Sequence, residues 1–168
     1  FTLERIREKN LLLDWVDLNE IWLQDNNTRI ANTGYFGGGY TGVLYYTTMD
    51  KVTYSSDTTA AVPGAALSIA RGSLAATGSS SAGYFGGGNA PGAPSYSTMD
   101  KVTYSSDTTA AVPGANLTVP RTNLAATGSS TAGYFGGGSP TSSVMDKVTY
   151  STDTTARVPG ANLSINRF

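Results

Sequence analysis

The sequence contains neither cysteine nor histidine among its 168 residues. The lack of cysteine excludes disulfides, zinc thiolate sites and a thiol nucleophile. Histidine is the commonest general base and the commonest metal ligand, so its absence removes the ordinary Ser-His-Asp triad as well. We therefore expect no enzymatic activity, no cofactor and no metal site from these residues.

Charge of either sign is also scarce. Charged residues make up 14% of the chain, and 11 basic residues are nearly balanced by 12 acidic ones, which gives a formal net charge of -1. A net charge so close to zero gives no electrostatic footprint for nucleic acid or for an anionic membrane. The densest apolar run, at 11–13, is far shorter than the roughly 18 apolar residues that span a bilayer. We predict no nucleic-acid partner and no membrane span.

Most of the chain consists instead of three near-copies of one unit, spaced about 50 residues apart. The segment Tyr-Phe-Gly-Gly-Gly begins at Tyr35, Tyr84 and Tyr134. The segment 48–65 recurs unchanged at 98–115 and with small changes at 145–161. Because such units bury their apolar faces by stacking on one another, we predict a tandem repeat domain over 29–168, with units at about 35–71, 72–121 and 122–168.

The first 28 residues differ from the repeats. They are free of Gly and Pro and rich in Leu, Ile, Trp and charged residues, with Leu11, Trp15, Leu18 and Trp22 at helical spacing. This pattern predicts an N-terminal helical segment over 1–28. Its apolar stripe is interpreted either as an anchoring or oligomerising helix or as a cap over the open end of the repeats.

Each repeat reads as four short strands. In the second unit the sequence predicts strands at 74–77, 82–85, 99–104 and 109–112, separated by turn residues such as Gly78-Ser79-Ser80 and Pro113-Gly114. The alternation of 99–104 indicates a half-buried strand. Length differences among the copies fall almost entirely after the glycine triplet, and this marks a variable loop at 40–47, 89–97 and 139–143.

The order of these elements resembles kelch-type repeats: an arginine (Arg71, then Arg121), a short strand, an aromatic strand ending in glycines, a variable loop, a strand and an Asp-Thr turn. This resemblance covers Tyr35 to the end and implies kelch-like, four-stranded β-propeller blades. It departs from that family where Val62, Val112 and Val158 follow the turn, because kelch repeats usually carry a Trp there. Propellers close with about four to eight blades, so fewer than three full units make an incomplete propeller. Either the polypeptide continues or sister chains complete the array.

The amino-acid sequence of the repeats resembles that of repeat-bearing virion proteins of tailed phages, especially marine and cyanobacterial ones. The sequence similarity is most specific at 83–88 and 133–138. This resemblance implies a tail fibre, appendage or baseplate-associated protein rather than an enzyme, located in a virion or outside the cell.

Several recurring residues invite chemical readings, and each has a simpler structural one. The glycines of the triplets lack the Lys-Ser/Thr of a phosphate loop and are expected to allow close strand packing. The Asp-Lys pairs at 50–51, 100–101 and 146–147 are interpreted as solvated edge charges. The aspartates of the Asp-Thr pairs are interpreted as turn residues rather than calcium ligands. The arginines are interpreted as hydrogen-bond donors between repeats rather than as ligand contacts. The residues expected to have these structural roles are Gly37, Gly38, Gly86, Gly87, Gly136, Gly137, Arg71, Arg121, Asp57, Asp107 and Asp153.

The sequence as a whole predicts an all-β repeat protein that acts as a structural and adhesive component of a virion or another extracellular assembly. Its expected partners are sister chains or other virion or filament proteins. A cell-surface glycan or protein is expected at the variable loops, where Tyr40, Tyr45, Tyr46 and Tyr96 offer contact area. Two alternatives remain open: a self-polymerising extracellular filament subunit, and a kelch-like protein-interaction module.

Overall fold

A computed structural model describes residues 32–167 of the chain. The predicted helix with its four apolar positions, Leu11, Trp15, Leu18 and Trp22, lies outside the described residues. Within them the protein is all-β, as the sequence predicts, and the strands form three separate antiparallel sheets.

Sheet 1 contains β1 (Thr33–Gly37), β2 (Met49–Thr53) and β3 (Thr58–Ala61). Sheet 2 contains β4 (Ala75–Gly78), β5 (Ala82–Gly86), β6 (Met99–Thr103) and β7 (Thr108–Ala111). Sheet 3 contains β8 (Ala125–Gly128), β9 (Ala132–Gly136), β10 (Met145–Thr149) and β11 (Thr154–Arg157). One 3-10 turn follows each sheet, at Pro63–Ala65, Pro113–Ala115 and Pro159–Ala161.

Every sheet is a meander in which consecutive strands pair. In sheet 2, Phe85 of β5 lies opposite Asp100 of β6, which in turn lies opposite Ala111 of β7. The same register recurs in sheets 1 and 3. The four strands predicted for the second unit are therefore confirmed, with bounds that shift by at most one residue.

The hairpin turn before the last strand of each sheet depends on an aspartate. Asp57, Asp107 and Asp153 have φ angles of 50°, 51° and 51°. Aspartate enters this left-handed region more readily than most residues because its short side chain is compatible with it. The turn that the sequence predicts from the Asp-Thr pair thus has a backbone reason.

The apolar core lies between the sheets. One cluster joins Met49, Ala65 and Leu67 of the first repeat to Phe85 and Val102 of sheet 2. A second, equivalent cluster joins residues of sheet 2 and its following turn to sheet 3, namely Ala82, Tyr84, Met99, Ala115, Leu117, Leu124, Phe135 and Val148. Sheet 2 is consequently covered on both faces, and every residue of β5 is buried.

In the first two triplets the first glycine leaves room for a phenylalanine of the next sheet. A Cβ on Gly37 would lie 3.3 Å from Cε1 of Phe85, and a Cβ on Gly86 would lie 3.1 Å from Cε1 of Phe135. The middle glycine is constrained differently, since Gly87 has a φ of 73° and a Cβ there would lie 2.6 Å from the backbone oxygen of Arg121. Close approach of the sheets therefore depends on these glycines.

Candidate binding surface

The variable loop of the first repeat carries the most exposed aromatic cluster among the predicted contact residues. The rings of Tyr40 and Tyr45 stack with centroids 4.4 Å apart, and the Tyr40 hydroxyl donates a 2.5 Å hydrogen bond to the Gly42 carbonyl. Tyr40 is 54% exposed and Tyr46 is 38% exposed. Tyr40 is therefore held in place by contacts within the loop and is still exposed.

Apolar side chains extend this surface. Val43 and Leu44 lie at the tip of the same loop and are 80% and 57% exposed. The loop is closed on itself by a backbone hydrogen bond from Thr41 to the Leu44 carbonyl, at 3.1 Å. We name the exposed set Tyr40, Val43, Leu44 and Tyr46 the tyrosine loop.

The loops of successive repeats touch one another. The side-chain amide of Asn89, in the second variable loop, donates to the Tyr45 hydroxyl at 3.3 Å. Thr122 connects the second loop to the third, because its hydroxyl contacts Oδ1 of Asn89 at 3.4 Å and its backbone exchanges hydrogen bonds with Ser139. The variable loops thus follow one another along a continuous strip.

Tyr96, the fourth predicted contact residue, has a different environment. It is half-buried and forms an isolated bridge with Arg121, whose backbone N–H donates to the Tyr96 carbonyl at 3.0 Å. The Tyr96 N–H donates to Gly88 at 2.8 Å. The structure therefore places Tyr96 in the scaffold and does not bring it to the tyrosine loop.

The two recurring arginines lie buried between the sheets. Arg71 donates to Asp100 at 2.9 Å and to the Phe85 carbonyl at 3.1 Å. Arg121 donates to Asp146 at 2.6 Å and to three carbonyls of the third repeat, Phe135, Gly137 and Val144. Both guanidinium groups are thus occupied within the scaffold and are hidden from an external ligand.

This arrangement corrects one prediction. The sequence predicts solvated edge charges at the Asp-Lys pairs, but the structure shows Asp100 and Asp146 to be fully buried. In each pair the aspartate and lysine side chains do point to opposite faces of the strand. The aspartate, however, faces an arginine of the linker that precedes its sheet. Burial of the carboxylate is tolerated because it is paired with a guanidinium and accepts a backbone hydrogen bond from Ser68 or Thr118.

Two lysines of the Asp-Lys pairs, Lys51 and Lys101, form a second set of contacts between sheets. Lys51 binds both carboxylate oxygens of Asp107 at 2.9 Å, and the Tyr35 hydroxyl donates to the same carboxylate. Hydrogen bonds from Tyr35 and then from Lys51 lower the pKa of Asp107. We call this arrangement the Tyr-Lys-Asp clamp.

The clamp recurs one sheet further on. Lys101 binds Asp153 at 2.8 Å and 3.0 Å, and the Tyr84 hydroxyl donates to Asp153 at 2.5 Å. Burial alone would raise the pKa of Asp153, but the hydrogen bonds from Lys101 and Tyr84 outweigh it, so the pKa is lowered. In both cases a tyrosine and a lysine of one sheet hold the turn aspartate of the next.

Tyrosine stacking accompanies each clamp. Tyr104 of the second repeat stacks on Tyr35 with centroids 5.0 Å apart, and Tyr150 of the third stacks on Tyr84 at 4.8 Å. Burial raises the pKa of Tyr104 to about 12, and burial followed by the bond to Asp153 raises that of Tyr84. These hydroxyls stay protonated at neutral pH and act as hydrogen-bond donors and packing groups.

Sequence reasoning missed both the buried aspartates and the clamp. The clamp joins residues 56 and 72 positions apart, so no local pattern marks it. The available signal was the recurrence, once per repeat, of a tyrosine, a lysine and a turn aspartate, with the lysine always six residues before the aspartate. That recurrence is what contacts between identical neighbours require.

In residues 32–167 no three Cys, Asp or Glu side chains gather as a metal site. The same residues include no helix with the length and apolar character that crossing a membrane requires.

Comparison with known proteins finds neither a protein-family model nor a curated protein that matches the chain.

Proposed function

We propose that this chain is a non-enzymatic structural and binding component of an extracellular or virion assembly, in which stacked sheets present the tyrosine loop to a cell-surface glycan. The observation that carries the proposal is the contrast between a scaffold repeated almost unchanged and a loop that varies in sequence and length. Rigid frameworks that vary at one loop are how repeat proteins present recognition sites.

The geometry of the tyrosine loop supports a glycan as the ligand. Stacking on Tyr45 and the bond to Gly42 fix the Tyr40 ring before any ligand arrives, so little side-chain entropy is lost on binding. A sugar ring has an apolar C–H face that packs on an aromatic ring. Hydroxyls at the edge of the sugar form hydrogen bonds with polar groups of the protein. The loop offers the Tyr40 ring for packing. It also offers the hydroxyl of Tyr46 and the backbone carbonyls of its turn for hydrogen bonds.

The finer architecture belongs to the same proposal. Two antiparallel four-stranded meanders and one of three strands, packed through equivalent clusters, support the kelch-like reading of the sheets as blades of a propeller. The resemblance of the repeat sequence to phage virion proteins supports the proposal that the chain belongs to a tail fibre, appendage or baseplate-associated protein.

The binding role can be tested with a labelled 168-residue chain on an array of bacterial capsular and lipopolysaccharide glycans. We expect selective binding that is lost in the variant Tyr40→Ala/Tyr46→Ala, because both open rings are removed. Val119→Ala is the control, since Val119 is an apolar residue that is also exposed, at 39%, but lies outside the variable loops. Absence of binding to every glycan, or equal binding by the double variant, would reject the glycan role.

A further inference from the structure

The two internal interfaces share one pattern, and each sheet contributes two different faces to it. Towards the following sheet it offers a glycine and a methionine that receive a phenylalanine, together with the tyrosine and lysine of the clamp. Towards the preceding sheet it offers the phenylalanine, the turn aspartate and the stacking tyrosine. Among the described residues, three sheets make two such interfaces and leave one face of each kind without a partner sheet.

The end face of sheet 1 presents the inserting set. Phe36 is 69% exposed, whereas the equivalent Phe85 and Phe135 are 3% and 0% exposed. Tyr54, which corresponds to Tyr104, is 54% exposed, and Asp57 is exposed as well. We call Phe36, Tyr54 and Asp57 the knob face.

The end face of sheet 3 presents the receiving set. An open apolar groove of about 500 Å³ is lined by Leu124, Gly136, Met145 and Leu163, among others. Gly86 has a phenylalanine of the next sheet 3.1 Å from its Cβ position, but Gly136 meets only Met145 and Leu163 within 4 Å. The groove is therefore the seat of a phenylalanine that sheet 3 does not receive from the described residues.

The polar half of the receiving set is present too. Lys147 lies 6.0 Å above the Tyr134 ring, as Lys101 lies 5.6 Å above Tyr84 and Lys51 lies 5.7 Å above Tyr35. Tyr134 and Lys147 are thus arranged as the other two clamps are. We call these two residues and the groove the socket face.

We propose that the socket face of one chain binds the knob face of a second copy. Phe36 of the second copy enters the groove at Gly136, and Asp57 is held by Lys147 and Tyr134. Tyr54 stacks on the Tyr134 ring. The occupant is a copy of this chain because the knob face matches the socket in shape and charge, residue for residue, through contacts that the protein already makes twice.

One further group is placed for this contact. The carbonyl of Arg167 accepts a 2.9 Å hydrogen bond from Gly138, as the carbonyls of Arg71 and Arg121 do from Gly39 and Gly88. Arg71 and Arg121 use their guanidinium groups to bind the buried aspartate of the next sheet. Arg167 is exposed, and in the proposed contact it reaches Asp50 of the second copy.

The two faces are different and lie on different sheets, so the association is head-to-tail. Such contacts give a closed ring when the rotation between copies completes a circle and a filament when it does not. The inference rests on the structural part of the proposed function and is independent of the glycan-binding part.

The test is the mass of the 168-residue chain in solution, measured by light scattering and sedimentation velocity over a range of concentrations. We expect multiples of 17.4 kDa. Phe36→Ser removes the inserting ring from an exposed position and should weaken association about 10- to 100-fold, which is the effect of losing a buried phenylalanine. Tyr40→Ala and Val43→Asp alter the tyrosine loop alone and should leave the mass unchanged.

Charge exchange gives a second, independent measurement. Lys147→Glu alone and Asp57→Lys alone should each shift the chain towards the monomer, because each places like charges opposite one another. The chain that carries both changes restores an ion pair across the contact and should associate again. A monomer at every concentration would overturn the proposal, and so would oligomers that Phe36→Ser and Lys147→Glu leave intact. Loss of glycan binding by Tyr40→Ala/Tyr46→Ala with unchanged mass would leave this proposal standing.

Discussion

The buried pair between Arg121 and Asp146 gives the sharpest test of how the sheets are held together. Arg121 is 1% exposed and Asp146 is 0% exposed. Replacing Arg121 with Met keeps most of the side-chain volume but removes every donor, so a buried carboxylate loses its counter-charge. Breaking a buried ion pair in this way costs about 3–5 kcal/mol.

Two features set the expected value within that range. Asp146 keeps its hydrogen bonds from the Thr118 backbone and hydroxyl, at 3.1 Å and 2.6 Å, and these continue to stabilise its charge. Three carbonyls of the third repeat lose a donor as well, which adds to the cost. We therefore expect Arg121→Met to lower the free energy of unfolding by about 3–4 kcal/mol.

The assay is urea denaturation followed by far-UV circular dichroism at neutral pH. Arg157→Met is the matched control, because Arg157 lies in the same sheet but is exposed, and its loss should change stability by less than about 0.5 kcal/mol. The double variant Arg121→Met/Asp146→Leu removes both charges and should recover part of the loss. A loss below about 1 kcal/mol for Arg121→Met, or a double variant less stable than the single one, would refute the reasoning.

Three further predictions concern the glycines, the clamp and the tyrosines. Gly87→Ala should destabilise the protein by at least about 1 kcal/mol more than Gly92→Ala, because both sites have a positive φ but only Gly87 has an atom within 3 Å of the added Cβ; equal losses in thermal melts would contradict this. The lowered pKa of Asp153 contributes stability that is present above the unfolded-state pKa of about 4 and is lost as pH falls through the folded value, so urea titrations at pH 2–7 should show a smaller acid-induced loss for Asp153→Asn than for the wild type. The raised pKa of Tyr104, about 12, contributes stability that is complete below the unfolded-state pKa of about 10 and is lost as pH rises through the folded value; ultraviolet titration of the folded protein should lose a component that ionises near pH 12 in Tyr104→Phe, and an unchanged curve would count against it.

The sequence was sufficient for the strands because their signals are local. Alternation at 99–104 and the glycine and Asp-Thr turns place β6 and its neighbours within two residues of their observed bounds. The pairing of Asp100 with Arg71 could not be read in the same way. Alternation shows that Asp100 and Lys101 lie on opposite faces, but it does not show that sheet 2 is covered on both.

The candidate surface was predictable in part for a related reason. Loop variability identified the segment that carries Tyr40 and Tyr46, because length changes are tolerated only where the backbone is free of ladder hydrogen bonds. It also singled out Tyr96, which lies at the end of its loop and is held by backbone bonds to Gly88 and Arg121. Variability marks a whole connection, whereas exposure depends on how its ends are tied into the sheets.

Small differences between the repeats offer a last test, at a carboxylate with one unpaired oxygen. Oδ2 of Asp100 accepts from Arg71 and from the Ser68 N–H, but Oδ1 has no hydrogen-bond partner among the described residues. At the contact with sheet 3, Thr118 of the second repeat takes the place of Ser68, and its hydroxyl donates to Oδ1 of Asp146 at 2.6 Å. The branched threonine side chain has fewer accessible rotamers than serine, so its hydroxyl is held in the donating position at lower entropic cost.

Ser68→Thr should therefore raise the free energy of unfolding by about 0.5–1.5 kcal/mol, the net value of one added hydrogen bond. Thr118→Ser is the reciprocal change and should lower it by a similar amount. Because both residues are exposed apart from this contact, neither change alters core packing, and urea denaturation reports the hydrogen bond itself. If the two exchanges shift stability in the same direction, the carboxylate contact does not explain the difference between the repeats, and side-chain propensity in the linker must account for it instead.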